Sequence, residues 1–428
     1  MVEKVDIVEP CQSESSWRPL FPPSEKESID ASILEIAIAL RHNLASVQDI
    51  SLGSGLAGIA IFFAYLSKYK QEPEYLLATR ELVERIAEQF SDAARTPWLY
   101  AGFTGVAWAL HHIRAVLPEC VDLEDGAITE AIDSFLLEFL DSPKIKADFD
   151  LIRGIVGLGV YGLLTFNSER SKAIVSLVLR HLESISEVDE RGRRYWRTLP
   201  QYFHWRHEAE MYPAGNRNLG LAHGNPGVIG FLAAATQKEN YANDDVRNIL
   251  HEAVTWMLSN RQPPPTASAF PAVAEKRGEC RCAWCYGDLG AAISILRAGY
   301  SLHNQEFVSA GWDIAERTLE RPFESMGVED PMFCHGAVGL AHMYNRLFQW
   351  CGEDRYARRA REWVHRTLDF RCANEGIAGY RFFHTLKKAW VTDPGFLTGA
   401  AGIGLALLAA VQDLPPAWDE VLLIGNRP

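Results

Sequence analysis

The chain has 428 residues, 48% of them apolar and 23% charged, with a formal net charge of −13. That composition describes a globular chain with enough apolar material for a large core. The negative balance argues against nucleic acid or an anionic membrane surface as a partner.

Met1–Glu9 has no apolar h-region, so no signal peptide is read. The longest apolar runs, Gly58–Leu66 and Ala400–Val411, fall short of the roughly 20 residues that a transmembrane helix needs. A cytoplasmic chain is expected. Of its eight cysteines, the clustered ones then read as metal-binding and not as disulfides.

Residues 1–26 carry Pro10, Pro19, Pro22 and Pro23 and read as an irregular arm. From residue 27 to 428 a single domain is expected, because one pattern recurs: an amphipathic helix, a Gly-x-x-Gly step, then a far more apolar helix. The steps are Gly55/Gly58, Gly102/Gly105, Gly154/Gly157, Gly224/Gly227, Gly287/Gly290, Gly336/Gly339 and Gly399/Gly402. Glycine there would permit positive φ and close backbone approach, and two glycines three apart would clear a helix face for neighbours.

The amphipathic partners fall near 27–45, 75–91, 122–142, 170–187, 246–261, 306–321 and 353–370. In the second of these, Leu76, Thr79, Leu82, Val83, Ile86 and Phe90 form one stripe, and Glu81, Glu84, Arg85 and Glu88 face away from it. Helices apolar all round belong inside and one-sided helices outside. The expected fold is all-α, an (α/α)7 toroid of seven inner and seven outer helices with the glycine steps at one end. An open solenoid would show the same pattern. The stretches 188–220, 262–284 and 373–395 lack helical period and read as loop-rich insertions near that end.

Four steps carry polar residues of ligand type beside their glycines: Asp150 before the third, His223 in the fourth, Cys285 and Tyr286 in the fifth, Cys334 and His335 in the sixth. If the steps share one end of a ring, these residues converge on its axis. Two thiols and an imidazole are a donor set that Zn²⁺ prefers, and three protein ligands leave a fourth position open. Cys285, Cys334 and His335 are therefore the candidate ligands. Cys280 and Cys282 form a Cys-x-Cys-x-x-Cys run with Cys285, and a fourth thiolate from either would close the site and make it structural. Taken alone, Asp150 fits an N-cap, His223 an imidazole bonded to backbone, Arg281 a solvated loop charge and Tyr286 a cavity wall. Trp108, His111 and His112 read as core and outer-face residues. His342 lies two turns beyond His335, too far to share a metal.

With the His-Gly, Trp-Cys-Tyr-Gly and Cys-His-Gly motifs in this order over seven glycine steps, the chain resembles the lanthionine synthetase C-like family from about residue 30 to 424. The Gly395–Leu408 block resembles that family's last inner helix. The resemblance implies a lanthipeptide cyclase that binds one zinc through Cys285, Cys334 and His335, with His223, Asp150, Arg281 and Tyr286 lining the site. Asp288-Leu289 departs from the small polar residue and Pro common after the Trp-Cys-Tyr-Gly motif, which puts the local helix start in question.

The implied reaction adds a peptide Cys thiolate to dehydroalanine or dehydrobutyrine, closing a (methyl)lanthionine ring. In it His223 is the acid that protonates Cα, Asp150 orients it or accepts the thiol proton, and Arg281 stabilises the enolate oxygen. The implied partners are a dehydrated precursor peptide, a separate dehydratase and a transporter, in a complex that would bring the chain to a membrane only peripherally. Two other readings share the donor set: a zinc-bearing, thiol-binding scaffold of the same fold, and a protein prenyltransferase, against which Ala283 stands where an Asp is needed.

Overall fold

Seven helices begin on the residue after a step glycine, and in each the glycine itself is the N-cap. The computed structural model describes residues 17–93, 96–121, 126–143, 145–165, 168–203, 206–384 and 387–425. Residues 1–16 of the expected arm, and 122–125 of the third expected outer helix, lie outside the described residues.

In chain order the helices begin with α1 (Glu27–Asn43), α2 (Leu56–Lys70), α3 (Pro73–Ala93), α4 (Phe103–Val116) and α5 (Gly126–Asp141). They continue with α6 (Ile155–Leu164), α7 (Glu169–Ile185), the short α8 (Arg206–Met211), α9 (Asn225–Thr236) and α10 (Asp244–Ser259). The last are α11 (Asp288–Ser301), α12 (Gln305–Glu320), α13 (Ala337–Cys351), α14 (Asp354–Asp369) and α15 (Ala400–Val411). Two antiparallel hairpins sit in the insertions: β1 (Glu187–Val188) with β2 (Arg194–Tyr195), and β3 (Phe382–His384) with β4 (Ala389–Val391).

Polarity sorts these helices into two layers. Every residue of α15 is buried, and each fully buried Leu or Phe of such a helix stabilises the fold by roughly 1.5–3 kcal/mol. On α14 burial is confined to a stripe of Tyr356, Ala357, Arg359, Ala360, Trp363, Val364 and Thr367. The inner helices α2, α4, α6, α9, α11, α13 and α15 pack each on the next, and α15 packs back on α2. The ring is closed, and the fold is an α/α toroid.

Each of the first six inner helices packs against the outer helix that follows it, whereas α15 is covered by α1, the first helix of the described residues. Just before α1, Trp17, Leu20 and Phe21 are buried. The Trp17 indole N–H donates to the Ala409 carbonyl at 2.7 Å, and the Leu20 N–H donates to Ala410. The described end of the N-terminal arm, though irregular, thus clasps the two ends of the chain together.

Of the expected reasons for the glycines, close backbone approach holds throughout the steps and positive φ at a single N-cap. Only Gly287 has positive φ (102°) among the seven N-caps; the other six are extended at −109° to −146°. What demands glycine elsewhere is the turn's own carbonyls: a Cβ on Gly105 would lie 1.7 Å from the Leu99 oxygen. The residues two before the N-cap glycines, meanwhile, link the turns around the axis by backbone hydrogen bonds. Cys334 N–H donates to Leu397, Leu397 to Gly53, and Gly53 to Tyr100; Ala222 donates to Cys285, and Cys285 to Cys334.

The C-terminal segment fills the ring. Trp418, Asp419, Val421 and Leu422 are wholly buried. Tyr100 donates to the Val421 carbonyl, Trp284 to Leu422 and Arg297 to Gly425. His342, expected to lie too far down its helix to share a metal, bonds Asp419 at 2.6 Å, and Arg346 chelates the same carboxylate at 2.5 and 2.6 Å. Among the described residues, no helix is long and apolar enough to cross a membrane.

Candidate metal centre and reaction cavity

The link from Cys285 N–H to the Cys334 carbonyl, 3.1 Å long, sets the fifth and sixth turns side by side. The consequence is a cluster: the ligand atoms of Cys285, Cys334 and His335 all lie within 4.8 Å of one another. A single ion with ligand bonds of about 2.0–2.3 Å fits among three such atoms. Two sulfurs and an imidazole nitrogen suit a borderline-soft cation and not the all-oxygen preference of Mg²⁺ or Ca²⁺. The two thiols push each other in opposite directions. The Cys334 thiol and then His335 hold Cys285 well below the ordinary thiol range, against burial. Cys334 in turn is pushed up, by Cys285 first and by burial second.

Cys280 and Cys282 stay out of this cluster; among the described residues it holds three members. Both are buried, and burial pushes each thiol up to about 12. Cys282 N–H is tied to the Met326 carbonyl, and Cys280 N–H to Ser268 Oγ. Asp288 answers the question its presence raised. α11 starts there, and its buried carboxylate accepts the N–H groups of Ala269 (2.7 Å) and Phe270 (3.0 Å), anchoring the loop that leads to Cys285.

A cavity of about 470 Å³ opens beside the cluster, with Cys334 on its wall. His223, Asp150 and Tyr286 line it, together with Arg153 and Asn218 and, from the 196–216 insertion, Tyr202, Phe203 and Glu208. His223 Nδ1 lies 2.6 Å from Asp150 Oδ2. A carboxylate only accepts, so Nδ1 carries the hydrogen and Nε2 is left for chemistry. Burial pulls the imidazole down, but the Asp150 charge and hydrogen bond outweigh it and raise His223 above its ordinary value. The other oxygen of Asp150 accepts the N–H groups of Ile152 (2.5 Å) and Arg153 (2.8 Å). Asp150 is therefore not the N-cap, which is Gly154. One oxygen braces the turn and the other holds the imidazole.

Tyr286 and His223 lie with ring centroids 6.0 Å apart. Asn218 Nδ2 donates to the Tyr286 hydroxyl at 2.6 Å, fixing its place on the wall. Burial raises this phenol, so it stays protonated. Arg281 is half-buried on the metal side of the site and is not among the residues lining the cavity. Its charge reaches Cys334, His335 and Asp330.

Sequence reasoning missed Asp148, Asn218 and Asp330, although a signal exists. Six residues before the N-cap glycines stand Asp49, Asp148, Asn218, Asp330 and Asp393. The carbonyl of each accepts the first N–H of the following helix. Side chains at four of these positions also accept an N–H two residues on, at 2.6 to 3.2 Å. Arg281 occupies this position in the fifth turn. Asp330 additionally accepts the Phe383 N–H at 3.2 Å, tying hairpin β3–β4 to the sixth turn, and lies 3.9 Å from His335 Nε2.

Comparison with known proteins identifies the family and matches the fold. The family model described as lanthionine synthetase C-like protein matches residues 46–423. The nisin biosynthesis protein NisC of Lactococcus lactis subsp. lactis is 27% identical over 330 residues, covering 72% of this chain and 77% of NisC. A solved structure of nisin cyclase superposes with a TM-score of 0.72 at 21% identity, over 94% of this chain and 98% of that one, a likeness of fold.

Proposed function

Because the chain belongs to the lanthionine synthetase C-like family, we propose that it is a zinc-dependent lanthipeptide cyclase, its residues from 27 onward forming one cyclase domain. The observation that carries this reading is the meeting of a three-member sulfur–nitrogen cluster with an acid–base pair on one cavity. A binding scaffold needs the first and has no use for the second. The similarity to NisC, whose name places it in nisin biosynthesis, supports the same class of reaction.

Cys285, Cys334 and His335 would hold the zinc, Cys280 and Cys282 remaining outside. Zinc there would supply an open position at which a peptide thiol, ordinarily near pKa 8.5, is kept ionised at neutral pH. The substrate is a dehydrated precursor peptide. Its sulfur adds to the β-carbon of dehydroalanine or dehydrobutyrine, and the resulting enolate takes a proton at Cα. His223, presenting Nε2, delivers that proton, and Asp150 holds the ring in the required tautomer and stabilises its charged form. Arg281 supplies the positive charge for the enolate oxygen, and Tyr286, held by Asn218, shapes the wall opposite His223. The precursor must be dehydrated first, so the cyclase works after a separate dehydratase and before a transporter, in a cytoplasmic complex that associates with the membrane peripherally.

The deciding experiment incubates zinc-loaded protein with a dehydrated precursor and counts the thiols left for alkylation. Loss of thiols without change of mass supports the cyclase. Retention of every thiol with zinc bound favours the scaffold.

A further inference from the structure

We propose that Asp148 is a second carboxyl group of the reaction cavity, a positioning residue that shares with His223 the proton that the reaction moves. The inference rests on the cyclase reading above and adds to it a group that no motif singles out.

The internal repeats supply the comparison. Asp49, Asn218, Asp330 and Asp393 use a side-chain oxygen to accept the N–H two residues on: Ser51 at 2.8 Å, Gly220 at 2.8 Å, Met332 at 3.2 Å and Gly395 at 2.6 Å. Asp148 stands at the same position, and its backbone keeps the same bond: its carbonyl accepts Ile155 N–H at 2.9 Å, as that of Asp49 accepts Leu56 N–H at 2.9 Å. The side chain does not follow. Its Oδ1 accepts the N–H of the adjacent Phe149 at 2.8 Å. The residue two on is here Asp150, itself an acid, and Asp150 has taken over the bracing of the turn through Ile152 and Arg153. Released from that task, Asp148 lines the cavity beside Asp150 and His223 while only 8% exposed.

Carboxyls that share one cavity oppose each other's ionisation, and Asp150 is the one bonded to His223. Burial first, and then the Asp150 charge, push Asp148 up to about 8, opposed by the Phe149 N–H and by His223. His223 is itself raised, and its charge is among those that act on Asp148 across the shared cavity. The remaining polar neighbours on this cavity are Arg153 of the same turn, Asn218 of the fourth, Tyr286 of the fifth, Cys334 of the sixth, and Thr198, Tyr202, Glu208 and Asn216 of the insertion, and the charge of Cys285 also acts on His223.

The pair can hold one proton in two placements: on Asp148 with the imidazole neutral, or on Nε2 with Asp148 ionised. The chemistry calls for both. The thiol S–H bond breaks, the S–C bond forms, the alkene π pair moves to Cα, and a C–H bond forms there. One proton leaves sulfur and one arrives at carbon, with no net gain or loss. A neutral imidazole can accept the first and an imidazolium can deliver the second, and a charge on Asp148 favours the second form.

The test needs no substrate, so it stands or falls separately from the cyclase reading, which the thiol count judges. Zinc-loaded wild type and Asp148→Asn, labelled with ¹⁵N-histidine, are titrated by NMR. An anion beside an imidazole favours its charged form, and an amide cannot become one. The His223 titration in Asp148→Asn should therefore fall by about one pH unit relative to wild type, and an unchanged titration overturns the proposal. In parallel, infrared difference spectra across the same range should show a protonated carboxyl ionising in wild type and missing in Asp148→Asn; the same band in the variant overturns it. Should Asp148→Asn not fold, Asp150→Asn serves. Removing the neighbouring charge should move the carboxyl band to lower pH, and a band that stays in place counts against the shared proton.

Discussion

The peptide N–H of Cys285 donates to the carbonyl oxygen of Cys334 at 3.1 Å, across a gap of 49 residues in sequence (334 − 285). This backbone bond sets the fifth and sixth turns side by side and so brings the two thiols together. The same bond repeated around the axis carries His223 and Tyr286 to adjacent places, because Ala222, next to His223, donates to the carbonyl of Cys285. The metal cluster and the acid–base pair are therefore neighbouring positions of one repeated turn.

The fifth turn is the one that departs from the repeat, and Gly287 is where it does so. Its φ of +102° is a conformation that L side chains rarely adopt, and a Cβ would lie 1.9 Å from the Arg281 carbonyl. Gly287→Ala should cost about 1–3 kcal/mol or more from the backbone alone. It should also displace Cys285, two residues away. Thermal melting and zinc content, measured together on the purified variant, should both fall.

Zinc content also separates an open site from a closed one. Cys285→Ala removes one of three ligands and should abolish stoichiometric zinc. Cys280→Ala, outside the cluster, should retain one zinc per chain by atomic emission. Loss in both variants would indicate a fourth thiolate ligand.

The Asp150–His223 pair predicts a particular pH dependence. Asp150 raises the imidazole above its ordinary value, so the acid form persists above about pH 6.5 and cyclisation should decline as pH rises through the folded value. Asp150→Asn removes the charge that holds the proton. The alkaline limb of the rate profile should then move to lower pH, with zinc content unchanged. His223→Ala should slow ring closure by roughly 10²–10⁴-fold while still binding zinc.

At the far side of the ring interior the buried Asp419 carboxylate neutralises Arg346 and accepts from His342. Burial alone would raise this carboxyl, but the Arg346 charge outweighs it and the folded value is depressed. The associated stability is present above the ordinary carboxylate range and is lost as pH falls through the folded value. Asp419→Ala leaves a buried guanidinium without its counter-charge and should destabilise by about 3–5 kcal/mol, read by denaturant melting. The variant should unfold at lower denaturant without a change in zinc stoichiometry while folded.

Much of this molecule is legible one residue at a time. The stripe of Leu82, Val83 and Ile86 against Glu84 and Glu88 reports an outer helix, and the unbroken apolar run of α15 reports an inner one, because burial on one side or on all sides is a direct consequence of side-chain polarity. The Gly-x-x-Gly steps mark the helix starts, and the ligand-type residues beside four of them mark the working end. Closure of the ring is a different matter, since an open stack of pairs has the same local pattern. It is decided by α15 packing back on α2, with α1 covering α15 and Trp17 reaching Ala409.

The site divides in the same way. Donor chemistry alone picks out Cys285, Cys334 and His335, and the fourfold recurrence of polar steps draws in His223 and Asp150. That Cys280 and Cys282 stay apart from the cluster depends on where the loop anchored by Asp288 runs. That Asp148 faces the cavity while Asp49, Asn218, Asp330 and Asp393 brace their turns depends on the rotation of one side chain within a backbone common to all five. Polarity and spacing are carried by each residue and survive in the linear chain. Which of several equivalent positions points into a shared space is settled only when the turns are packed against one another.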